Sequence, residues 1–329
     1  MRNDMINIGI DIGGSHIALG LVNIDGEIIF KVSFDFPANA SAENIINEIV
    51  KYIIMLNNKS IEYNKTIVSN IGIGNPGIIN SKKGMIEFSP NIPQFKHLKI
   101  AETLTKKLRK NKIRIPIYIG NDANVAAFGE YKFGWGKYLK KQNLLHLTLG
   151  TGVGGGIILN NKIYIGCSNN AGELGHITIK YDGRLCKCGN YGCIEAYCNA
   201  AGLMQTAKDY IKETNNYNIL KYCRNNINFL TPEIISRAAK HKENTALDIF
   251  KIYGSHLGIG VASLINIFNI ELITIGGGIS QAGDFFINSL IAETRARAFK
   301  RPVEHCSIKI SKLGANAGLI GASILYSQF

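Results

Sequence analysis

A chain of 329 residues exceeds the size at which one hydrophobic core keeps growing, so two lobes are expected. Hydrophobic residues make up 46% and charged residues 19%, enough apolar side chains for sizeable cores, which excludes a disordered chain. The net charge of +13 would suit a polyanion, but the lysines are spread among asparagines and isoleucines; the densest run (Lys106, Lys107, Arg109, Lys110, Lys112, Arg114) reads as a solvated helix end, not a nucleic-acid surface.

The first residues hold only a short apolar stretch broken by Asn7, Asp11 and glycines. It is too short to span a bilayer and lacks the apolar region of a signal peptide, so a soluble, cytoplasmic protein with no membrane partner is expected. Residues 6–34 read as three short strands separated by Gly13-Gly14 and by the turn Asp25-Gly26. A helix is predicted over 42–57, where Ile45, Ile46, Ile49, Ile53 and Ile54 recur at helical spacing behind a cap from Ser41 or Asn39. A strand over 67–74 ends at Asn75-Pro76-Gly77. Residues 116–122 read as a strand, about 123–131 as a helix, and 144–149 as a strand running into a glycine loop. The second half offers a strand pair over 154–166, a cysteine-rich loop and a mainly helical region over 199–268. A strand over 271–278, a helix after Ser280, a strand over 307–313 and a small-residue helix from Gly314 close the chain. The class is α/β. No low-complexity linker separates the halves; structured crossings near 120 and 314 would give a small lobe of residues 1–120 plus 315–329 and a large lobe of residues 121–314.

Glycine directly after a strand lets the backbone turn sharply and brings its N–H groups close to an anion. Three such turns recur: Asp11-Ile12-Gly13-Gly14-Ser15, Gly150-Thr151-Gly152-Val153-Gly154 and Gly276-Gly277-Gly278. Each is open to two readings, a plain turn or a phosphate loop. Asp11 could position magnesium or its water shell beside phosphates, and Ser15 adds a hydroxyl donor. The GxxxxGK[ST] pattern is absent, which argues against a P-loop, and GVGGG lacks the spacing of a dinucleotide fingerprint.

Asn121-Asp122 follows a strand and opens a helix, at the strand end where open α/β sheets place ligands. Two roles stay open for this pair: helix capping by either residue, or proton acceptance by Asp122 from a hydroxyl that receives a phosphoryl group.

Seven cysteines, with Cys167, Cys186, Cys188 and Cys193 in one stretch, do not look like a disulfide framework. His176, Cys186, Cys188 and Cys193 form H-x9-C-x-C-x4-C, and Gly189 and Gly192 supply turns that let the thiolates converge. A Cys3His set is a closed, structural zinc site; buried unligated thiols are the alternative.

Together the three glycine turns resemble the phosphate and adenosine loops of the sugar kinase/Hsp70/actin superfamily. The segments AGELGHITI (171–179) and CKCGNYGCIE (186–195), with NDANVAAFGE and LTLGTGVGGGI, narrow the resemblance to the ROK family (repressors, open reading frames and kinases), and it runs from Gly9 to about Gly321. The resemblance implies two ribonuclease-H-like lobes of the actin-like ATPase type around a central cleft that holds ATP. In it, Asp11, Gly13, Gly14 and Ser15, with Gly150, Thr151, Gly152 and Gly154, meet the phosphates and Mg2+. Gly276, Gly277 and Gly278, with residues 314–321, lie near the adenine. Asp122 is then the catalytic base, and Asn91, Asn121, Asp122, Glu173, His176 and Glu195 face a hexose. A homodimer follows from family habit.

Gly129-Glu130-Tyr131 with Gly134 and Gly136 look most like the glucokinase branch, so glucose is the expected substrate, with N-acetylglucosamine or N-acetylmannosamine as alternatives. A sugar-responsive repressor is the alternative of another class; only ten residues precede Asp11, which leaves no room for a winged helix. Ser15 stands where threonine is more usual, and Asn75 puts a polar side chain into the Gly-x-Pro-Gly turn, where it touches either the sugar or the turn alone.

Overall fold

Isoleucine-rich segments alternating with glycine turns build two five-stranded sheets in this computed structural model, which describes residues 5–64 and 66–329. The chain divides into two compact units: Met1–Gln142, Gly156–Gly172 and Ala315–Phe329 form one, Asn143–Gly155 and Glu173–Gly314 the other. By this division the helix after Asn121 belongs with the N-terminal segment, beyond the boundary at residue 120 expected from the sequence.

In the first unit, β1 (Ile6–Ile12), β2 (His16–Asn23) and β3 (Ile28–Asp35) form an antiparallel meander. After α1 (Ala42–Asn64), β4 (Asn70–Asn75) returns parallel to β1. A small hairpin of β5 (Ile78–Asn80) and β6 (Met85–Phe88), which the sequence reading missed, leads to α2 (Ile100–Lys110). Next, β7 (Ile117–Asn121) adds parallel to β4, so the sheet order is β3-β2-β1-β4-β7.

Of the three parallel strands, β1 and β4 are buried along nearly their whole length and β7 at Ile119 and Gly120, because helices cover the sheet. One cover is the isoleucine stripe of α1, with Ile45, Ile46, Ile49 and Ile53 buried, and another is Ile100, Leu104 and Leu108 of α2 at the i, i+4 spacing of one helix face. Beyond residue 57, α1 continues to Asn64 because buried Ser60 donates to Thr66 O at 2.7 Å and anchors the extra turns. The basic run closes α2, where Lys106 pairs with Glu102 at 2.6 Å and Lys107 with Glu43 at 3.4 Å.

Two further helices follow, α3 (Asp122–Phe133) and α4 (Trp135–Leu139). Then come β8 (Leu144–Leu149), β9 (Val153–Leu159) and β10 (Lys162–Ile163). The second unit goes on with α5 (Ile194–Cys198), α6 (Ala200–Thr214), α7 (Pro232–Lys240) and α8 (Asn244–Phe268). It ends with β11 (Leu272–Gly276), α9 (Gly283–Arg297), α10 (Lys300–His305) and β12 (Ser307–Ile310). The second sheet runs β10-β9-β8-β11-β12, with β8, β11 and β12 parallel. In this unit α8 and α9 pack closely on each other: a Cβ at Gly258 would lie only 2.7 Å from Leu290 O.

The chain re-enters the first unit with α11 (Ala317–Ser323), which starts after a 3-10 turn over Gly314–Asn316 rather than at Gly314. It lies directly on β1 and β4: side chains at Gly9 or Gly72 would overlap the carbonyls of Leu319 and Ala322. Among the described residues no helix is long and apolar enough to cross a membrane.

Candidate functional site

In the first unit the register fixes where the polar residues end up. Asp11 on β1 pairs with Gly74 on β4, and Asn75 pairs with Asn121 on β7, so Asp11, Asn75 and Asn121 line the carboxyl edge of the three parallel strands. That edge is where ligands bind in open α/β sheets.

The Gly13 turn is closed by its N–H donating to His16 O at 2.8 Å, leaving Gly14 and Ser15 exposed. Asn91 stands beside it, since a Cβ on Gly14 would come within 3.2 Å of the Asn91 Cβ. At the start of α3, Asn121 Oδ1 accepts from Ala123 N at 3.0 Å and Asn124 N at 3.2 Å, while its Nδ2 donates to Gly77 O. Asn121 is therefore the cap, and the capping role left open for Asp122 is already filled.

Burial pushes the Asp11 carboxyl up to about 6, with Lys31 and His16 pulling it the other way. The carboxylate lies against α11: a side chain at Gly318 would come within 2.6 Å of Asp11 Oδ2. Because the folded-state value lies above the unfolded value of 3.8, ionised Asp11 costs stability fully above pH 6, and the cost fades as pH falls toward 4. Asp11→Asn should therefore stabilise the ligand-free protein at pH 8 by at most about 3 kcal/mol and by almost nothing at pH 4. Urea midpoints of both proteins at the two pH values check this; equal gains at both would assign the effect to shape instead of charge.

Asn75, which the sequence left between turn and ligand, is fully buried; its Nδ2 donates to Pro76 O at 2.7 Å and to Ser89 Oγ at 3.4 Å. It holds the turn.

In the second unit two glycine turns meet at the carboxyl ends of β8 and β11. Gly276 pairs with Thr148, and at Gly277 (φ 84°) any side chain would overlap Leu149, so only glycine lets the turns nest. The Gly150 N–H donates to Gly152 O at 2.9 Å, with Thr151 exposed at the tip and Gly154 just inside β9. Glu195, on the first turn of α5, accepts from Val153 N at 2.9 Å and crowds Gly152, which ties this turn to the cysteine-rich loop.

That loop folds back by backbone pairing. Ile179 N donates to Gly192 O at 2.8 Å, Ile194 N to Ile177 O at 2.9 Å and Cys186 N to Asn190 O at 2.8 Å. Gly189 and Gly192 take φ of 92° and 72°, the left-handed region the turns need.

The ligand atoms of His176, Cys186, Cys188 and Cys193 come within 4.8 Å of one another. His176 Nδ1 lies 3.7 Å from Cys186 Sγ, and the Cys188 and Cys193 sulfurs are 3.7 Å apart. Tetrahedral bonds of zinc–ligand length require edges of about 3.6–3.8 Å, so these residues fit a metal ion. The far nitrogen of His176, Nε2, is 3.9 Å from Glu173 Oε2, and the Glu173 side chain is exposed.

The sequence reading missed a cavity of about 370 Å3 beside Gly278 and Ile279, walled by Pro232, Arg237, Lys240 and Phe250. No local motif marks these positions, since they come together only when α7 and α8 pack beside the third glycine turn.

The ROK family profile matches residues 7–329. A glucokinase of Halalkalibacterium halodurans is 32% identical over 99% of this chain and 96% of its own length. A xylose repressor of Caldicellulosiruptor bescii is 33% identical over 95% of this chain and 76% of its own. A solved ROK family glucokinase of Streptomyces griseus, in complex with glucose and AMPPNP, superposes with TM-score 0.80 at 32% identity, covering 98% of this chain and 100% of that one. The mixed α/β fold is that of the ROK sugar kinases, of the actin-like ATPase type. This chain belongs to the ROK family.

Proposed function

We propose that the chain is an ATP-dependent hexose kinase that converts glucose to glucose 6-phosphate, with Asp122 as the proton acceptor. The observation that carries this reading is the start of α3: Asn121 caps the helix, and Asp122 follows it at the carboxyl edge that Asp11 also lines. Asp122 takes the proton of the sugar hydroxyl as it bonds to the γ-phosphorus and the bond to the ADP oxygen breaks. An ordinary carboxylate suffices, because the loose transition state needs the proton removed late.

The other residues position. Asn91, Asn121, Glu173, His176 and Glu195 are the residues assigned to ring hydroxyls, and a site built of amides and carboxylates rejects sugars that lack the matching hydroxyl. The N–H groups of the turns at Gly13–Ser15 and Gly150–Gly154 hold phosphate oxygens, and the cavity beside Gly278 takes the adenosine. Magnesium, bound beside Asp11, would offset phosphate charge.

Zinc is the ion that the Cys3His set suits, and a reduced, cytoplasmic setting keeps the thiols available. Held through Nδ1, the His176 ring keeps Nε2 directed toward Glu173 and the sugar.

Glucose is favoured by glucokinases 32% and 33% identical to this chain and matched nearly end to end. The likeness to xylose repressors supports a second reading, a sugar-sensing regulator that binds sugar without turnover. ADP release measured with glucose, mannose, fructose, N-acetylglucosamine and N-acetylmannosamine separates the two. The highest kcat/KM is expected for glucose; a higher value for an N-acetylated sugar would reassign the substrate, and no turnover on any of them would end the kinase reading.

A further inference from the structure

The three thiols of the candidate metal cluster differ in exposure. Cys186 is 4% exposed and Cys193 fully buried, whereas Cys188 is exposed. The residue after it leaves the approach open, since a Cβ on Gly189 would meet nothing within 4 Å. Cys188 is therefore the sulfur of the cluster most open to a small solute, and Cys193 Sγ stands 3.7 Å from it.

The two sulfurs also differ in what holds them. Cys193 bridges to Thr178 and stands at the cap of α5, where Ile194 N donates to Ile177 O at 2.9 Å. Cys188 sits on a tight turn closed by Gly189 N donating to Cys186 O at 3.0 Å, and the left-handed glycines Gly189 and Gly192 separate it from Cys193. Closing 3.7 Å to a disulfide bond of about 2.0 Å takes a shift of about 1.7 Å, which the exposed turn can supply while Cys193 stays in place. An accessible thiolate beside a second one is the arrangement in which oxidation ends in a disulfide instead of climbing to sulfinic acid.

We propose that Cys188 and Cys193 are a peroxide-reactive pair, Cys188 attacked and Cys193 resolving, whose oxidation to a disulfide expels the metal ion. The Cys188 thiolate attacks one oxygen of hydrogen peroxide: the S–O bond forms, the O–O bond breaks, and hydroxide leaves to take up a proton, giving a sulfenic acid. The Cys193 thiolate then attacks Cys188 Sγ; the S–S bond forms, the S–O bond breaks, and a second hydroxide leaves as water. Two thiolates thus lose two electrons to the peroxide, which with two protons becomes two waters. A disulfide sulfur offers a cation no charge, so the set falls to His176 and Cys186, short of the four ligands of a closed zinc site. This release step rests on the zinc assignment proposed above.

The test is to expose the zinc-loaded full chain to a small excess of hydrogen peroxide, map its disulfides by mass spectrometry after alkylation, and follow zinc with a chromogenic chelator. The expected result is a Cys188–Cys193 bond, two of the seven cysteines lost to alkylation, and one zinc released per bond. Dithiothreitol with added zinc should restore both the thiols and the metal. Cys167→Ser, which removes an exposed thiol outside the cluster, should leave the rate of release unchanged. The proposal is overturned if the bond maps to another pair, if Cys188 is oxidised to sulfinic acid without a bond, or if release requires Cys167. A chain that forms the bond but took up no zinc beforehand would overturn the release step together with the zinc assignment, whereas zinc retained after the bond has formed would overturn the proposal alone. None of these outcomes depends on turnover, so they stand apart from the kinase reading.

Discussion

Asp122→Ala is expected to lower kcat by about 10²–10⁴-fold, the usual contribution of a positioned general base, while glucose affinity changes by only a few-fold. The start of α3 makes this a clean experiment. Helix capping rests on Asn121, whose Oδ1 accepts from two backbone N–H groups, so removal of the neighbouring carboxylate leaves the helix start in place. Sugar binding also draws on Asn91, Asn121, Glu173, His176 and Glu195 in the proposed assignment, so the loss should fall on the chemical step. Single-turnover phosphoryl transfer, with glucose binding followed by calorimetry, separates the two effects. A variant that retains more than a tenth of the wild-type kcat would show that proton removal is not the task of Asp122.

A second large effect is expected at the cysteine-rich loop. Cys188→Ser should abolish the proposed zinc binding and raise the KM for sugar by about 10–100-fold, the range seen when the supports of a metal site are removed. In the metal-free cluster, burial pushes the Cys186 thiol up to about 12 and raises Cys193 as well, while the Asn190 N–H lowers Cys188. Glu195 Oε1 adds a carboxylate 3.6 Å from Cys186 Sγ. Thiols crowded at such spacing keep their protons until a cation takes their place, so loading the cluster must displace thiol protons.

The sugar-binding consequence follows from connectivity. His176 is itself part of the candidate metal cluster, and Glu195 joins the loop to the Gly152 turn through Val153 N. Metal content by mass spectrometry should read one zinc per wild-type chain and none in the variant. Full sugar affinity in zinc-free protein would uncouple the ion from the site.

Much of this site can be read in the linear chain because its parts are local. The end of a strand, a glycine turn and a carboxylate occupy five consecutive residues at Asp11–Ser15, and the four residues of the candidate metal cluster lie between 176 and 193. Strands and helices were legible for a similar reason: β1 and β4 are near-continuous isoleucine and glycine, and α1 repeats isoleucine at helical spacing. The hairpin of β5 and β6 was not legible, since its strands are three and four residues long and carry too few side chains to display a period.

What the linear order determined by itself is chemistry carried by neighbours: turns, caps in waiting, the thiol and imidazole cluster, and the α/β alternation. Tertiary structure alone decided between roles that neighbours cannot distinguish. It made Asn121 the cap, because only the folded first turn of α3 shows which oxygen reaches Ala123 N. It buried Asn75 behind Pro76 and Ser89, and it shut Asn124 Oδ1 away from solvent without a hydrogen-bond partner. Whether a polar side chain is exposed, paired or unsatisfied depends on which distant segments close around it, and a single segment holds no record of those.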